Sequence, residues 1–225
     1  MSRTPLSQAL GRANEYFANG QFQEAENLCQ AIVAGCPEEP EPYKLLGAMA
    51  YLTGRREEAV ELMRKAAELA PQIPQYHNNL SVALAALARY EEAETAARRA
   101  LELNPQIAEA ESNLANALAG LGRPAEAEAA ARRALAVRPA FFEALNNLGD
   151  ALHAQRRDED AEKAYRQAIA VNPRNSGGYI NLGVLLQTQG RYEEAEEAYV
   201  SAIEITPNHA DARANLAALY VAVGE

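Results

Sequence analysis

Apolar residues recur along this chain in short bursts at helical spacing, and each burst is closed by a turn-forming residue. The pattern is clearest from Tyr179 to Pro207. Leu182, Gly183 and Leu186 share one helical face, and after Gly190 a second stripe begins with Tyr192, Ala195, Tyr199, Ala202 and Ile203. Gly190 can adopt the left-handed conformation that ends a helix, and Pro207 cannot continue one. The segment predicts two short amphipathic helices. Neither face is wide enough to form a core, so the pair must stack on others of its kind.

Those others follow every 34 residues. The proline recurs as Pro37, Pro71, Pro105, Pro139, Pro173 and Pro207, and the central alanine as Ala25, Ala59, Ala93, Ala127, Ala161 and Ala195. A leucine returns at Leu46, Leu80, Leu114, Leu148, Leu182 and Leu216, followed by Gly47, Ser81, Ala115, Gly149, Gly183 or Ala217. A small residue there lets two helices cross closely. No insertion breaks the register, the mark of a helical repeat array. Helices are expected near 41–53 and 57–70 and at the same offsets afterwards. Pro124 opens a second helix, where its missing N–H costs nothing.

The period, the leucine–small pair, the central alanine and the closing proline together resemble the tetratricopeptide repeat over essentially the whole chain. The resemblance implies an all-α, right-handed solenoid of antiparallel helix pairs. Its repeats would run 6–39, 40–73, 74–107, 108–141, 142–175 and 176–209, with a half repeat at 210–225. It also implies a protein-binding scaffold that takes an extended polypeptide in a concave groove.

Departures from the pattern carry expectations of their own. Met1 to Pro5 reads as a frayed lead. The first repeat has Arg12 in place of the leucine and Cys29 where later repeats have Met63, Tyr165 or Tyr199, as an end cap tolerates. Cys29 and Cys36 lie about 10 Å apart if the helix continues, too far for a disulfide. Gly177 and Gly178 weaken a first helical turn by about 1 kcal/mol each, making the joint between fifth and sixth repeats the softest. The final half repeat would leave Leu216, Leu219, Tyr220 and Val223 uncovered, a surface for self-association through 210–225.

Net charge of −10 argues against a nucleic-acid partner, which needs a basic stripe. Apolar runs such as Val82 to Ala88 are too short to span a bilayer, and MSRTPLSQALGRAN lacks a secretory apolar region, so a cytoplasmic protein is expected. His77, His153 and His209 have no neighbouring ligands at metal spacing. No phosphate loop or nucleophile elbow occurs. No catalytic residue, metal or cofactor is expected in this stretch. Glu61–Lys65, Glu94–Arg98, Glu128–Arg132 and Glu162–Arg166 read as i,i+4 pairs on a solvated face.

Asparagine is the remaining periodic signal. Asn79, Asn113, Asn147, Asn181 and Asn215 each precede the core leucine, although asparagine is unfavourable inside a helix by roughly half a kcal/mol. Stacked, they would form a ladder whose amides can pair with both backbone groups of an extended peptide. Duplication of a repeat would copy them equally well. Asn78, Asn116, Asn146 and Asp150 complete the candidate peptide-binding set. This ladder resembles the repeat superhelix of O-linked N-acetylglucosamine transferases, where such asparagines hold substrate polypeptide. Gly11 and Leu45 stand in the first two repeats, so the ladder should begin at the third. The pattern departs from the carboxylate-clamp subfamily, whose basic positions are Ser112, Gly177 and Asn181 here, although Asn116, Asn147 and Asn181 could supply amides. Lys44 is the only basic residue expected on that wall, beside Glu41, Glu109, Glu143, Asp150 and Asp211. The expected function is polypeptide binding. Alternatives are the docking arm of a larger transferase and a self-associating scaffold.

Overall fold

The computed structural model describes residues 5–223, and among them the chain forms thirteen α-helices and no strand. They are α1 (Pro5–Ala18), α2 (Phe22–Gly35), α3 (Pro40–Leu52), α4 (Arg56–Leu69), α5 (Pro74–Ala85), α6 (Tyr90–Leu103) and α7 (Ala108–Gly120). Then follow α8 (Pro124–Val137), α9 (Phe142–Ala154), α10 (Asp158–Val171), α11 (Ser176–Thr188), α12 (Tyr192–Ile205) and α13 (Ala210–Val223). α3 and α4 begin one residue earlier than the periodicity suggests. Pro40, Pro74 and Pro124 each open a helix, their fixed φ suited to a first helical position. Of the expected frayed lead, Met1–Thr4 lie outside the described residues and Pro5 already belongs to α1. The result is the helical-repeat solenoid class that the period implies.

Packing divides the chain into two compact units, one up to Asn113 and the other from Leu114, with the boundary inside α7. In the first, Ala13, Ala25, Cys29, Leu45, Leu46 and Met49 form a buried cluster against Phe17, Leu28 and Leu62. Burial pushes the Cys29 thiol up to about 11, which keeps it protonated and unreactive, and Cys36 is exposed. In the second, Ile180, Ala202 and Ala212 pack with Tyr179 and Ile203.

From the second hairpin on, the second helix buries mainly alanine. Ala93, Ala96, Ala97 and Ala100 are all buried, as are Ala127, Ala130, Ala131 and Ala134, at the i, i+3, i+4, i+7 spacing of one face. The small residue after the core leucine is matched in volume to the residue sixteen positions later. A Cβ added to Gly47 would stand 2.8 Å from Met63 Cγ, and one on Gly183 2.6 Å from Tyr199 Cε1. Gly149 faces Tyr165 in the same way. Where that later residue is Ala97 or Ala131, the small residue is Ser81 or Ala115.

The turn inside each hairpin needs one left-handed residue. Gly20, Gly54, Gly122 and Gly190 supply it, with φ from 69 to 81°, but Ala88 (φ 55°) and Arg156 (φ 63°) hold the same position. A side chain in that region costs about 1–2 kcal/mol, partly offset because glycine gains entropy when unfolded. Ala88→Gly and Arg156→Gly should therefore each stabilise the protein by about 0.5–1 kcal/mol. Ala129→Gly, at an exposed position in the middle of α8, should do the reverse. Urea denaturation of the three variants checks this, and a destabilised Ala88→Gly would refute it.

The apolar period does not mark the arginine that precedes or opens the second helices. Arg55, Arg89, Arg123, Arg157 and Arg191 each pair with an acidic residue three positions on: Glu58, Glu92, Glu126, Asp160 and Glu194. Arg55 also reaches Glu26 at 3.0 Å, Arg157 reaches Glu128 at 2.9 Å and Arg191 reaches Glu162 at 2.6 Å, each in the preceding hairpin. Arg191 holds the Glu162 carboxyl below the usual range. The expected i,i+4 pairs Arg98–Glu94, Arg132–Glu128 and Arg166–Glu162 form as well.

One expectation requires correction. Leu219 is not uncovered: it is 1% exposed, because it lies two turns beyond buried Ala212 on the face that α13 lays against α11 and α12. Leu216 and Tyr220 are half-buried, and the Tyr220 hydroxyl donates to Glu196 Oε1 at 2.6 Å. The Val223 side chain lies outside the described residues, and Val221, at 79%, is the conspicuous exposed apolar residue of α13. The glycine pair is also more than a weak start. The Asn175 side chain accepts from Gly177 N–H at 2.9 Å as an N-cap, and a Cβ on Gly178 would stand 3.1 Å from Ile169 Cγ1.

Candidate functional site

The first helix of each hairpin carries the asparagine positions, and its neighbours decide what each amide does. Asn113 Nδ2 donates to Asn78 Oδ1 at 2.8 Å, linking α7 to α5. Asn181 Nδ2 lies 3.5 Å from both Asn146 Oδ1 and Asp150 Oδ1, a longer version of the same link between α11 and α9. Asn146 Nδ2 also donates to the Phe142 carbonyl at 3.2 Å. Asn78 and Asn146 are buried, at 4% and 8% exposure, where an unpaired amide would be costly.

Both of these links end on an asparagine doublet, Asn78–Asn79 or Asn146–Asn147. The first member of each doublet receives the asparagine of the next repeat. Elsewhere the receiving position holds Lys44, Ser112 or Ile180. Asn79 Oδ1 instead accepts from Gln75 Nε2 at 3.1 Å, one turn back on its own helix. Asn147 and Asn215 are half-buried and Asn116 is exposed. Asn78 with Asn113, and Asn146, Asp150 and Asn181 together, are brought into contact.

Asp150 stands on the same helix as Asn146 and accepts from the Tyr165 hydroxyl at 2.7 Å. Desolvation pushes its carboxyl pKa up, against the lowering effect of the tyrosine hydrogen bond. The residue as a whole remains exposed, so solvent relieves part of that desolvation and the hydrogen bond weighs more in keeping the carboxylate charged. Tyr165 itself is pushed far up by burial and by the adjacent carboxylate.

A second cluster joins three successive first helices around Glu41. Its carboxylate pairs with Lys44, accepts from Asn14 Nδ2 at 3.4 Å and accepts from the Tyr76 hydroxyl at 3.2 Å. Burial and Glu41 push Tyr76 up to about 12. Lys44, the expected lone cation of this wall, is thus neutralised locally. Asn14 could have been found from the sequence, since it shares a repeat position with Asn116 and Asp150.

The chemistry on offer is hydrogen bonding by amides and carboxylates. His77 Nε2 lies 3.0 Å from the Pro71 carbonyl oxygen, and His153 Nδ1 lies 2.7 Å from Asp158 Oδ1. Among the described residues no group of three or more His, Cys, Asp or Glu is placed to hold a metal. No helix among them is long and apolar enough to cross a membrane.

Two family models match the chain. "Tetratricopeptide repeat" matches residues 112–177, 159–210 and 180–222. "Cilia and flagella-associated protein 70 middle TPR-like domain" matches residues 10–122. No curated protein sequence matches. Among solved structures, the chain is similar to TTC0263, a thermophilic TPR protein of Thermus thermophilus. That match has a TM-score of 0.76 and 22% identity, and covers 81% of this chain and all of that one. It is similar to PilW, a type IV pilus biogenesis factor, with a TM-score of 0.81 and 18% identity, covering 96% of this chain and all of that one. It is also similar to YrrB, described as a TPR protein with an unusual peptide-binding site. There the TM-score is 0.56 and the identity 21%, with 83% of this chain and 96% of that one covered. At these identities the likeness is one of fold.

Proposed function

Because the chain belongs to the tetratricopeptide-repeat family, we propose that it binds an extended polypeptide along the face of its first helices, with asparagine amides holding the backbone. The supporting observation is the pairing of Asn113 with Asn78 and of Asn181 with Asn146. Each pair fixes amides on successive first helices and uses one N–H of the later asparagine. In Asn113 the second N–H and the carbonyl oxygen can still serve a peptide group, and in Asn181, whose amide nitrogen lies near both Asn146 and Asp150, the carbonyl oxygen can. Side chains already held in place lose little entropy on binding. Asparagine reads the backbone alone, so this recognition is independent of ligand sequence. The likeness to O-linked N-acetylglucosamine transferase arrays rests on the same asparagines and belongs to this reading.

A suitable probe is ribonuclease A, reduced and blocked with iodoacetamide so that it stays unfolded. Replacing Asn79, Asn147 and Asn181 by alanine removes three amides, each worth about 0.5–1.5 kcal/mol. Affinity measured by fluorescence anisotropy should fall about ten-fold or more, to a similar degree for unrelated unfolded chains. Equal affinity of variant and parent would remove the asparagines from the binding site.

A further inference from the structure

The first compact unit carries an apolar hollow that amide recognition alone does not use. It measures about 280 Å³ and is lined by Phe17, Ala48, Tyr51, Leu52, Met63, Val82 and Asn79. Leu52 is 60% exposed, a large aliphatic group at the open side of an otherwise half-buried apolar surface. Isolated exposed leucines are ordinary, but contiguity with an aromatic pair is not. Phe17 and Tyr51 hold one position of the first two repeats, which His153 and Gln187 hold in the fifth and sixth. At the Leu52 position those later repeats have Ala154 and Thr188, and at the Ala48 position the fifth has Asp150. The hollow is therefore particular to the first hairpins and is not copied with the repeat.

Its lining defines the occupant. None of the seven residues carries a charge, and the single amide is Asn79, a member of the proposed backbone-holding set. The volume is at the lower edge of the roughly 300–1,000 Å³ typical of small-molecule sites, and no charged group is there to hold a cofactor's phosphate or carboxylate, so one apolar side chain suits it better. The chain's net charge of −10 favours cationic flanks on whatever approaches. We propose that this hollow receives one leucine- or phenylalanine-sized side chain of an extended, lysine- or arginine-rich segment. This rests on the peptide-binding reading and adds a sequence preference to it: one bulky apolar residue, set opposite the first hairpins.

The test uses the full chain and two fluorescein-labelled dodecapeptides of glycine, serine and lysine, one with a central leucine and one with serine there. Burial of one leucine should make the first bind about ten-fold tighter or better. Leu52→Asp places a charge at the exposed rim and should abolish that difference, any added attraction for lysine being shared by both peptides, while leaving the helical circular dichroism unchanged. Asn79→Ala should weaken both peptides alike and preserve their ratio. Equal binding of the two peptides, or a ratio that survives Leu52→Asp, overturns the proposal. So does failure of both peptides to bind while unfolded ribonuclease A still does, an outcome that leaves backbone recognition intact. Failure of ribonuclease A together with both peptides overturns both readings. A parent chain that sediments as a dimer and becomes monomeric in Leu52→Asp would give the hollow to a second copy of the chain, again overturning it.

Discussion

Replacing Gly149 by alanine should destabilise the protein by about 2–3 kcal/mol, the upper range for overpacking a core. The added Cβ would stand 2.6 Å from Cδ1 and 2.8 Å from Cζ of Tyr165. That ring cannot swing aside freely, being 3% exposed and tied by its hydroxyl to Asp150. Tyr165→Ala alone should cost about 3–5 kcal/mol through the cavity it leaves. The double variant Gly149→Ala/Tyr165→Ala recreates the Ala115 and Ala131 combination of the fourth repeat, so its loss should fall well short of the sum. Urea denaturation of all four proteins gives the coupling, expected at about 1–2 kcal/mol. Strict additivity would mean that the two positions are not matched. Gly47→Ala should be milder, because Met63 has more rotatable bonds with which to yield.

That pairing marks how far the sequence was legible. Prolines and alanines at a constant interval predicted the hairpins. The ends of α3 and α4 fell within a residue of expectation, because Pro40 fixes the start of one and Gly54 the turn before the other. The small residue after each leucine was legible as a close crossing. Which partner it crosses was not, since Tyr165 and Tyr199 read simply as members of an apolar stripe. Only the packed hairpin brings each tyrosine over its glycine. Leu219 failed for a related reason: counting apolar residues on one helix cannot tell the face turned back from the face turned outward. Ala88 and Arg156 were missed because their left-handed backbone violates local preference and is imposed by the turn.

Asn113→Ala should lower stability by about 1–3 kcal/mol, and the melting temperature by several degrees, even though alanine is the better helix former. The change strips the partner from Asn78 Oδ1, which is buried and accepts from Asn113 at 2.8 Å. Asn215→Ala should move the other way by a few tenths of a kcal/mol, because the residue equivalent to Asn78 is there Ile180 and helix propensity decides. Asn181→Ala should lie between them, its contacts being 3.5 Å long. Removing both partners in Asn78→Ala/Asn113→Ala should recover part of the loss, since no buried amide is then left without its bond. Thermal denaturation followed by circular dichroism checks all four. Equal effects of Asn113→Ala and Asn215→Ala would dismiss the helix-to-helix link.

The same asparagines show why the site was only half legible. Their period predicted a row of equivalent amides, but equivalence of position is not equivalence of surroundings. The doublets Asn78–Asn79 and Asn146–Asn147 were visible in the sequence; that the first member of each catches the next repeat's amide depends on how helices stack. The apolar hollow was less legible still. Phe17 and Tyr51 are one repeat apart, yet two such aromatics resemble ordinary core until Leu52 is seen exposed beside them.

The arginines at the starts of the second helices give the array a grammar of succession. Arg55, Arg157 and Arg191 reach back to a carboxylate of the preceding hairpin, so a hairpin can carry a clasp for the one before and an eye for the one after. The second repeat has Val60 where Glu26, Glu128 and Glu162 provide that eye, and Arg89 behind it is left with Glu92 of its own hairpin. Excising residues 40–73 would set Arg89 opposite Glu26 and restore the clasp. That excision would also remove Arg64, which now joins the second repeat to the third through Glu92 at 3.1 Å, so one joint is exchanged for another and the repeat number can change while each seam keeps an ion pair.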